Sequence, residues 1–162
     1  PEVHRVMEPR TSNPRRRLEA IRELAASGIP VGVLAAPVVP RLTDHELPAI
    51  IAAAGAAGAR HAGYVLLRLP HAVKSLFATW LEQHFPARRD KVLNRIRSLR
   101  GGKLNEPRFQ SRMRGEGVFA EEIASLYRIA VQAAGIDRRA PALSVAHFRN
   151  PAGRQLELFE TS

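Results

Sequence analysis

The sequence predicts an α/β fold with a parallel sheet, and three observations support this class. Helical and strand patterns alternate along the first half of the chain. The two strand patterns are continuous apolar runs, which is typical of strands covered on both faces by helices. The connections between these elements are short, as expected when parallel strands are joined by right-handed helical crossovers.

The first predicted helix spans Pro14 to Ala26, with Leu18, Ile21 and Leu24 on its apolar side. Asn13 is a favourable N-cap, and a proline fits the first helical position because its missing N–H would be unpaired there. Gly28 supplies a left-handed stop. The apolar run that follows, residues 29–38, predicts a buried strand.

A second helix, strand and helix follow in the same order. Residues 43–58 predict a helix, in which Thr43 and Glu46 have the spacing of a capping box. Residues 62–69 predict a second buried strand, and an aromatic-rich apolar stripe predicts a helix over residues 73–85. Its Phe77 and Trp80 are expected to be core residues and not ligand-stacking ones. Two strands are too few for an independent parallel sheet, so we expect the chain to be part of a longer protein.

The pattern changes after residue 86. Two amphipathic helices are predicted, at residues 90–99 and 118–134, separated by a loop rich in Gly and Pro. The sequence therefore divides into α/β units (1–86), a basic helical extension (87–137) and an extended tail (138–162).

Composition excludes several classes of protein. The 162 residues include 25 Lys and Arg against 15 Asp and Glu, for a net charge of +10, and no Cys. Without cysteine the chain cannot form disulfides, use a cysteine nucleophile or ligate an iron–sulfur cluster. No apolar run reaches the ~20 residues of a membrane helix, and no signal peptide is evident. We expect a cytoplasmic protein that makes no contact with membranes.

No metal site or catalytic residue is predicted. The six histidines lack metal-binding spacing. Asp44, His45 and Glu46 look like a metal or acid–base cluster, but they precede a helix, where acidic residues favour the N-terminus. Capping is the preferred interpretation.

The positive charge is concentrated between Arg88 and Arg114, which we call the basic segment. Ten basic against two acidic residues there give +8 of the total +10. Because Lys and Arg bind phosphates, this segment predicts binding to DNA or RNA, although a solvated basic face would look the same. The sequence SRMRGEG contains no aromatic residue, so stacking of bases is not predicted. The candidate nucleic-acid-binding residues are Arg95, Arg97, Arg100, Lys103, Arg108, Arg112 and Arg114.

The carboxyl ends of the two strands form a second candidate site, because parallel α/β folds bind ligands there. These ends hold Ala36 and Pro37 on one strand and Arg68 and Leu69 on the other. A charge that closes an apolar strand, as Arg68 does, needs a partner or a ligand.

A polar loop before the first helix is a third candidate. Residues 8–13 place a carboxylate, a guanidinium and hydroxyls before a helix N-terminus, which suits a bound carboxylate or phosphate. A surface pair between Glu8 and Arg10, with an N-cap, explains the same residues equally well.

The tail ends in the peptide QLELF, residues 155–159. It resembles the QLxLF-type peptide by which many bacterial proteins bind the DNA sliding clamp. Short apolar peptides in extended tails dock in grooves. The alternative is that the tail folds back onto its own chain. The candidate partner-binding residues are Gln155, Leu156, Leu158 and Phe159.

Residues 7–70 resemble a known family. The run MEPRTSNPRRRLEAIRELAASGIPVGVLAAPVVPRLTDHELPAIIAAAGAAGARHAGYVLLRLP resembles the later part of radical S-adenosylmethionine (SAM) proteins of the DNA repair photolyase group, related to spore photoproduct lyase. The segment RGGKLNEPRF, the following SRMRGEG and the closing QLELF also look like that group's C-terminal extension.

The resemblance implies a partial (β/α)6 TIM-like barrel, of which this chain supplies the last two strands and the extension. In the family, a CxxxCxxC loop binds a 4Fe-4S cluster and SAM is cleaved to a radical. That loop is absent here, so the chain alone is expected to be inactive and to need the N-terminal half of the barrel. The implied cofactor-binding residues are Glu8, Arg10, Ser12, Ala36, Pro37, Arg68 and Leu69.

Two functions follow as expectations. The first is the C-terminal part of a radical SAM enzyme, of lyase or DNA-repair type, that acts on nucleic acid. The second is a non-enzymatic basic module that binds nucleic acid and is recruited through the sliding-clamp-type peptide.

Overall fold

Two parallel strands and six α-helices make up the architecture in a computed structural model, which describes residues 2–109, 111–136, 142, 144–146 and 148–149. The elements are α1 (Glu2–Met7), α2 (Pro14–Ala26), β1 (Gly32–Val38), α3 (Leu47–Ala56), β2 (His61–Leu66), α4 (Val73–His84), α5 (Arg89–Ser98) and α6 (Val118–Ala133). Short 3-10 turns at Asp44–Glu46 and Pro86–Arg88 precede α3 and α5. The predicted α/β class with a parallel pair of strands is confirmed.

Helix α2 has the predicted bounds because its signals are local. The Asn13 side chain accepts a hydrogen bond from the Arg16 N–H at 2.9 Å. Gly28 has φ of 74°, the left-handed conformation that ends a helix. Helix α1 was not predicted. Only six residues long, it packs Val3 and Val6 against the apolar side of α4 and α5.

Strand β1 is covered on one face only. Ala35 and Val38 are buried, whereas Leu34 is 63% exposed and both Ala36 and Pro37 are exposed. The prediction of a strand buried on both faces is therefore wrong for the part of the chain that the structure describes. An apolar run reports which side chains are available for burial, but not which neighbours cover them.

The start of α3 also differs from the prediction. The Thr43 hydroxyl accepts a hydrogen bond from the Val39 N–H at 2.9 Å, and it makes no capping bond. Asp44 instead accepts from the backbone N–H groups of Arg41 and His45, at 2.9 and 3.1 Å. The capping box is absent because a 3-10 turn, closed by Asp44, separates Thr43 from the first α-helical residue.

The two strands pair in parallel, from Gly32 opposite His61 to Val38 opposite Leu66. The register shifts between Ala35 and Val38, where β1 has one extra residue. Because β2 ends at Leu66, the predicted strand end at residue 69 is three residues too long. Arg68 and Leu69 lie in the segment that follows the strand.

The core has two parts. The first lies between the covered face of the sheet and α3 and α6, and it contains Ile51, Tyr64 and Tyr127. The Tyr127 hydroxyl donates to the Ala62 carbonyl at 2.8 Å, which fixes α6 to β2. The second part joins α1, α4 and α5 around Leu69 and Leu81. Phe77 is buried as predicted.

Trp80 lies at the border of the second core. It is partly buried, and its Nε1 lies 3.4 Å from the Val6 carbonyl, to which it donates a hydrogen bond. The ring also stacks on Phe77, with the ring centroids 5.8 Å apart. Its packing agrees with the prediction that it is a core residue and not a ligand-stacking one.

Among the described residues, no helix combines the length and apolar character needed to cross a bilayer. The QLELF peptide lies outside the described residues, as does most of the predicted tail.

Candidate functional site

The basic segment runs through α5 and the turns that follow it, and three of its arginines are neutralised locally. Arg89 forms an ion pair with Asp90 at 2.8 Å. Arg108 contacts Glu106 and Glu116 at 3.1 and 3.0 Å, and these contacts raise the pKa of Arg108 while lowering the pKa of Glu106. Arg95 lies over the Phe119 ring and 4.0 Å from Glu122. These cations contribute less to an external field than their number suggests.

Arg100 is buried, with 3% of its surface exposed. Its guanidinium donates to the carbonyls of Leu67, Ser111 and Arg112, at 2.9, 3.2 and 2.7 Å. It therefore ties the segment after β2 to the loop at residues 111–115. The prediction that Arg100 contacts nucleic acid is wrong for this structure, because a side chain enclosed in this way cannot reach a polyanion.

Of the seven candidate nucleic-acid-binding residues, four remain that are at least partly exposed and make no described ion pair, and we call them the basic surface: Arg97, Lys103, Arg112 and Arg114. Among the residues that the structure describes, none of the four has a carboxylate within 4.0 Å. Arg97 and Lys103 lie at the end of α5, where Gly102 and Lys103 donate to the carbonyls of Arg97 and Arg100. Arg112 and Arg114 lie on the loop that Arg100 holds against the strand.

Arg100 thus holds the loop that carries Arg112 and Arg114 against the end of β2, beside the end of α5. The loop adds a bond of its own, from the Leu66 N–H to the Met113 carbonyl at 2.9 Å. Gly115 fits against Leu66 and Leu99, and an added Cβ would lie 3.1 Å from Leu66. Its φ of 74° is one that side-chain-bearing residues rarely adopt. The loop therefore has a defined position beside β2.

Aromatic rings accompany two of these cations, which sequence spacing did not reveal. Arg112 lies over the Phe109 ring at 4.4 Å, and Phe109 is 79% exposed. Arg114 lies over the Tyr64 ring, also at 4.4 Å. Tyr64 comes from β2, fifty positions earlier in the chain, so only the fold pairs them. An exposed phenylalanine beside an arginine is a platform on which bases can stack.

The polar loop at residues 8–13 is occupied by its own contacts. Glu8 accepts from Arg17 at 2.8 Å and from the Thr11 hydroxyl at 3.1 Å. The bond from Arg17 holds the pKa of the Glu8 carboxyl below its usual value. The surface-pair interpretation required Glu8 to pair with Arg10, but its partner is Arg17. The N-cap of that interpretation is present.

Arg10 and Ser12 are exposed, and no described hydrogen bond or ion pair uses their side chains. In the described part of the chain, no polar contact joins this loop to the strand ends. The structure therefore shows no hydrogen bond or ion pair between the two groups of residues that the resemblance assigns to one cofactor.

At the strand ends, Ala36 and Pro37 are exposed and are joined by a cis peptide bond. Leu69 is fully buried in the second core, backbone included, so the prediction that it contacts a cofactor is wrong for this structure. Arg68 is partly buried, and its Nε has no hydrogen-bond partner. The sequence predicted a partner or a ligand for this charge, and the described residues supply no hydrogen-bond partner for its Nε.

The sequence did not predict one pocket that the structure contains. It is an open cleft of about 580 Å³ between the 3-10 turn at Asp44–Glu46 and helices α5 and α6. Its lining mixes basic and acidic side chains with the apolar side chains of Ile123 and Leu126. The signal was Asp44–His45–Glu46, which spacing alone identified only as a helix start. No group of three or more metal-ligating side chains occurs among the described residues.

Comparison with known proteins gives relatives without a described function. The chain is 35% identical to uncharacterized proteins of Mycobacterium tuberculosis and Mycobacterium bovis, in alignments covering 80% of this chain. The aligned region is 37% of each relative, so the chain spans little more than a third of their length. No protein-family model matches the chain. No solved structure matches it either.

Proposed function

We propose that this chain is the C-terminal part of a radical SAM enzyme of the photolyase-like group and that it holds the nucleic-acid substrate. The basic surface is the observation on which the proposal rests. Four cations without carboxylate partners lie around one ordered loop, and an exposed aromatic ring lies among them. Such a surface attracts a phosphate backbone through charge and receives bases by stacking.

The sheet supports the barrel part of the proposal. A β1–α3–β2 unit with helices on one face and an uncovered apolar residue, Leu34, on the other is what a barrel wall presents. In a (β/α) barrel the helices form the outer layer, and the opposite face of each strand points to the interior. Further strands of a longer protein would complete that interior.

The chain's own residues do not fit a 4Fe-4S cluster, because it contains no cysteine. In the proposal, a CxxxCxxC loop elsewhere in the longer protein holds the cluster, and no chemical step is assigned to this chain. For SAM, exposed Arg10 and Ser12 are suited to its carboxylate, while Glu8 is committed to Arg17. Exposed Ala36 and Pro37 would lie on the adenosine side. The resemblance places Arg68 there too.

Binding of DNA tests the proposal directly. We expect the chain to bind a short mixed-sequence duplex and a single strand at low salt. If all four cations contact phosphates, the logarithm of the binding constant falls against the logarithm of salt with a slope of about −3 to −4. Affinity then drops about 100-fold between 50 and 200 mM salt. Fluorescence anisotropy with labelled DNA measures both quantities.

Two results would contradict this interpretation. One is an absence of binding at the lowest salt at which the chain stays in solution. The other is an affinity that does not change with salt, because contacts to phosphates release counterions and must be salt-dependent.

The second candidate function is a non-enzymatic module recruited to DNA through the QLELF peptide. The absence of cysteine favours it, since a binding module needs no cluster. The peptide predicts that replacing Leu158 and Phe159 with alanine abolishes binding to a bacterial sliding clamp while DNA binding persists. Calorimetry with purified clamp checks this. Unchanged clamp binding in the double variant would exclude the peptide as a docking motif.

A further inference from the structure

Three arginines from distant parts of the sequence meet where β2 ends. The Arg100 guanidinium reaches the Leu67 carbonyl with one nitrogen and the carbonyls of Ser111 and Arg112 with the other. The segments carrying Arg68 and Arg112 are therefore both within reach of a single guanidinium group. We call Arg68, Arg100 and Arg112 the strand-end arginine cluster.

The charge of this cluster is not balanced by the described part of the protein. No carboxylate there lies within 4.0 Å of any of its members. The two acidic groups that influence Arg100, Glu106 and Glu116, are both bonded to Arg108. Burial, and then the charge of Arg68, lower the pKa of Arg100. The positive groups thus repel one another in a partly desolvated place, which is unfavourable without an anion.

Unused hydrogen-bond donors surround the same place. The Nε atoms of Arg68 and Arg112 are buried and have no partner, and neither has the Oγ of Ser111. Ser111 itself is only 8% exposed. Arg100 holds Ser111 and Arg112 against the segment that carries Arg68. Buried polar atoms in folded proteins are nearly always hydrogen-bonded, so these three unpaired groups call for an acceptor. All three can donate to one.

We propose that Arg68, Ser111 and Arg112 form a binding site for a single phosphoryl group, with Arg100 as the fixed positive charge behind it. A phosphoryl group has the required chemistry, since it combines up to two negative charges with several acceptor oxygens. A carboxylate has one charge and two oxygens, and would leave more of the cluster unbalanced. Guanidinium groups bind phosphate oxygens in pairs, with charge-assisted bonds.

The site does not depend on the proposed function, because free phosphate is sufficient to fill it. The phosphoryl group comes either from a small molecule or from a nucleic-acid backbone. If the source is a nucleic-acid backbone, the basic surface holds one phosphate of the strand at this site.

Calorimetric titration of the 162-residue chain with inorganic phosphate, at constant ionic strength in chloride, tests the proposal. We expect saturable binding of one phosphate per chain. Arg68→Gln should weaken it about tenfold or more, and Ser111→Ala about threefold, since a charged donor contributes more than a hydroxyl. Arg68 makes no described hydrogen bond, so its variant should keep the fold, which circular dichroism verifies.

Arg88→Gln is the matched control. It removes one exposed arginine of the basic segment that has no described ion pair and lies outside the strand-end arginine cluster, and it should leave phosphate affinity unchanged. The absence of saturable binding would overturn the proposal. Equal affinities in the wild-type chain and in both Arg68→Gln and Arg112→Gln would overturn it too.

A DNA arm separates the two sources and keeps the two proposals distinguishable. If Arg68→Gln weakens DNA and phosphate binding together, the phosphoryl group belongs to the backbone. If phosphate binds to the site and DNA does not bind at all, a small molecule is the ligand and the proposed function fails while the site stands. If DNA binds normally to a chain that does not bind phosphate, the site fails and the proposed function stands.

Discussion

Replacing Arg100 with methionine is expected to destabilise the chain by about 3 kcal/mol. Methionine fills a similar volume but leaves three carbonyls, those of Leu67, Ser111 and Arg112, without their donor. An unpaired buried carbonyl costs about 1–3 kcal/mol. The variant no longer buries a charged guanidinium, and avoiding that desolvation cost offsets part of the loss. The free energy of unfolding, measured in urea, checks the expected change.

Two further variants make the interpretation specific. Arg100→Lys keeps the charge but cannot span carbonyls on two segments, so we expect a loss of about 1–2 kcal/mol. Arg97→Met, three residues earlier on an exposed position of the same helix end, should stay within about 0.5 kcal/mol of the wild-type chain. A loss below about 1 kcal/mol for Arg100→Met would show that the guanidinium does not hold the two segments together.

Arg97 and Arg100 show what sequence can and cannot predict. In the run RIRSLRGGK they are equivalent in charge and in distance from the apolar residues of α5. Only the chain reversal after Leu99, which directs residue 100 toward the end of β2, buries one and exposes the other. That reversal is a tertiary event, whereas the caps of α2 are made by residues a few positions apart and were predicted correctly.

For the candidate sites too, properties of composition could be predicted and tertiary contacts could not. The excess of positive charge is a property of composition and could be located from sequence to within the basic segment. Which cations lack acidic partners could not, because the ion pairs of Arg95 with Glu122 and of Arg108 with Glu116 span 27 and 8 positions. That Arg68 needs a partner or a ligand could be predicted, because a charge follows an apolar run. Its neighbours Ser111 and Arg112 are more than 40 positions away, so the cluster they form required the fold.

The uncovered face of β1 could not be predicted from sequence either, because it depends on tertiary neighbours. The run IPVGVLAAPV contains enough apolar residues for two covered faces, and its pattern predicts a strand buried on both. In the described residues the helices α3 and α6 cover one face, and Leu34 remains on the other. A continuous apolar run is therefore consistent with a barrel wall whose inner face other strands would cover.

Removing the basic surface is expected to have the largest effect on DNA binding. A variant with glutamine at Arg97, Lys103, Arg112 and Arg114 should lose about 100-fold in affinity at low salt, because four phosphate contacts are lost. The slope of its binding constant against salt should approach zero for the same reason. Glutamine keeps most of the aliphatic stem and the ability to hydrogen-bond, so the change is mainly one of charge.

A charge-matched variant shows whether DNA recognises this surface or only the net charge. Glutamine at the exposed residues Arg5, Arg15, Arg16 and Arg22 removes the same four charges from helices α1 and α2. If the basic surface is the nucleic-acid interface, anisotropy at low salt should show a loss of about 100-fold for the first variant and within about threefold for the second. Equal losses in the two variants would show that net charge alone attracts DNA, and would contradict a defined interface at the end of α5 and the loop beside β2.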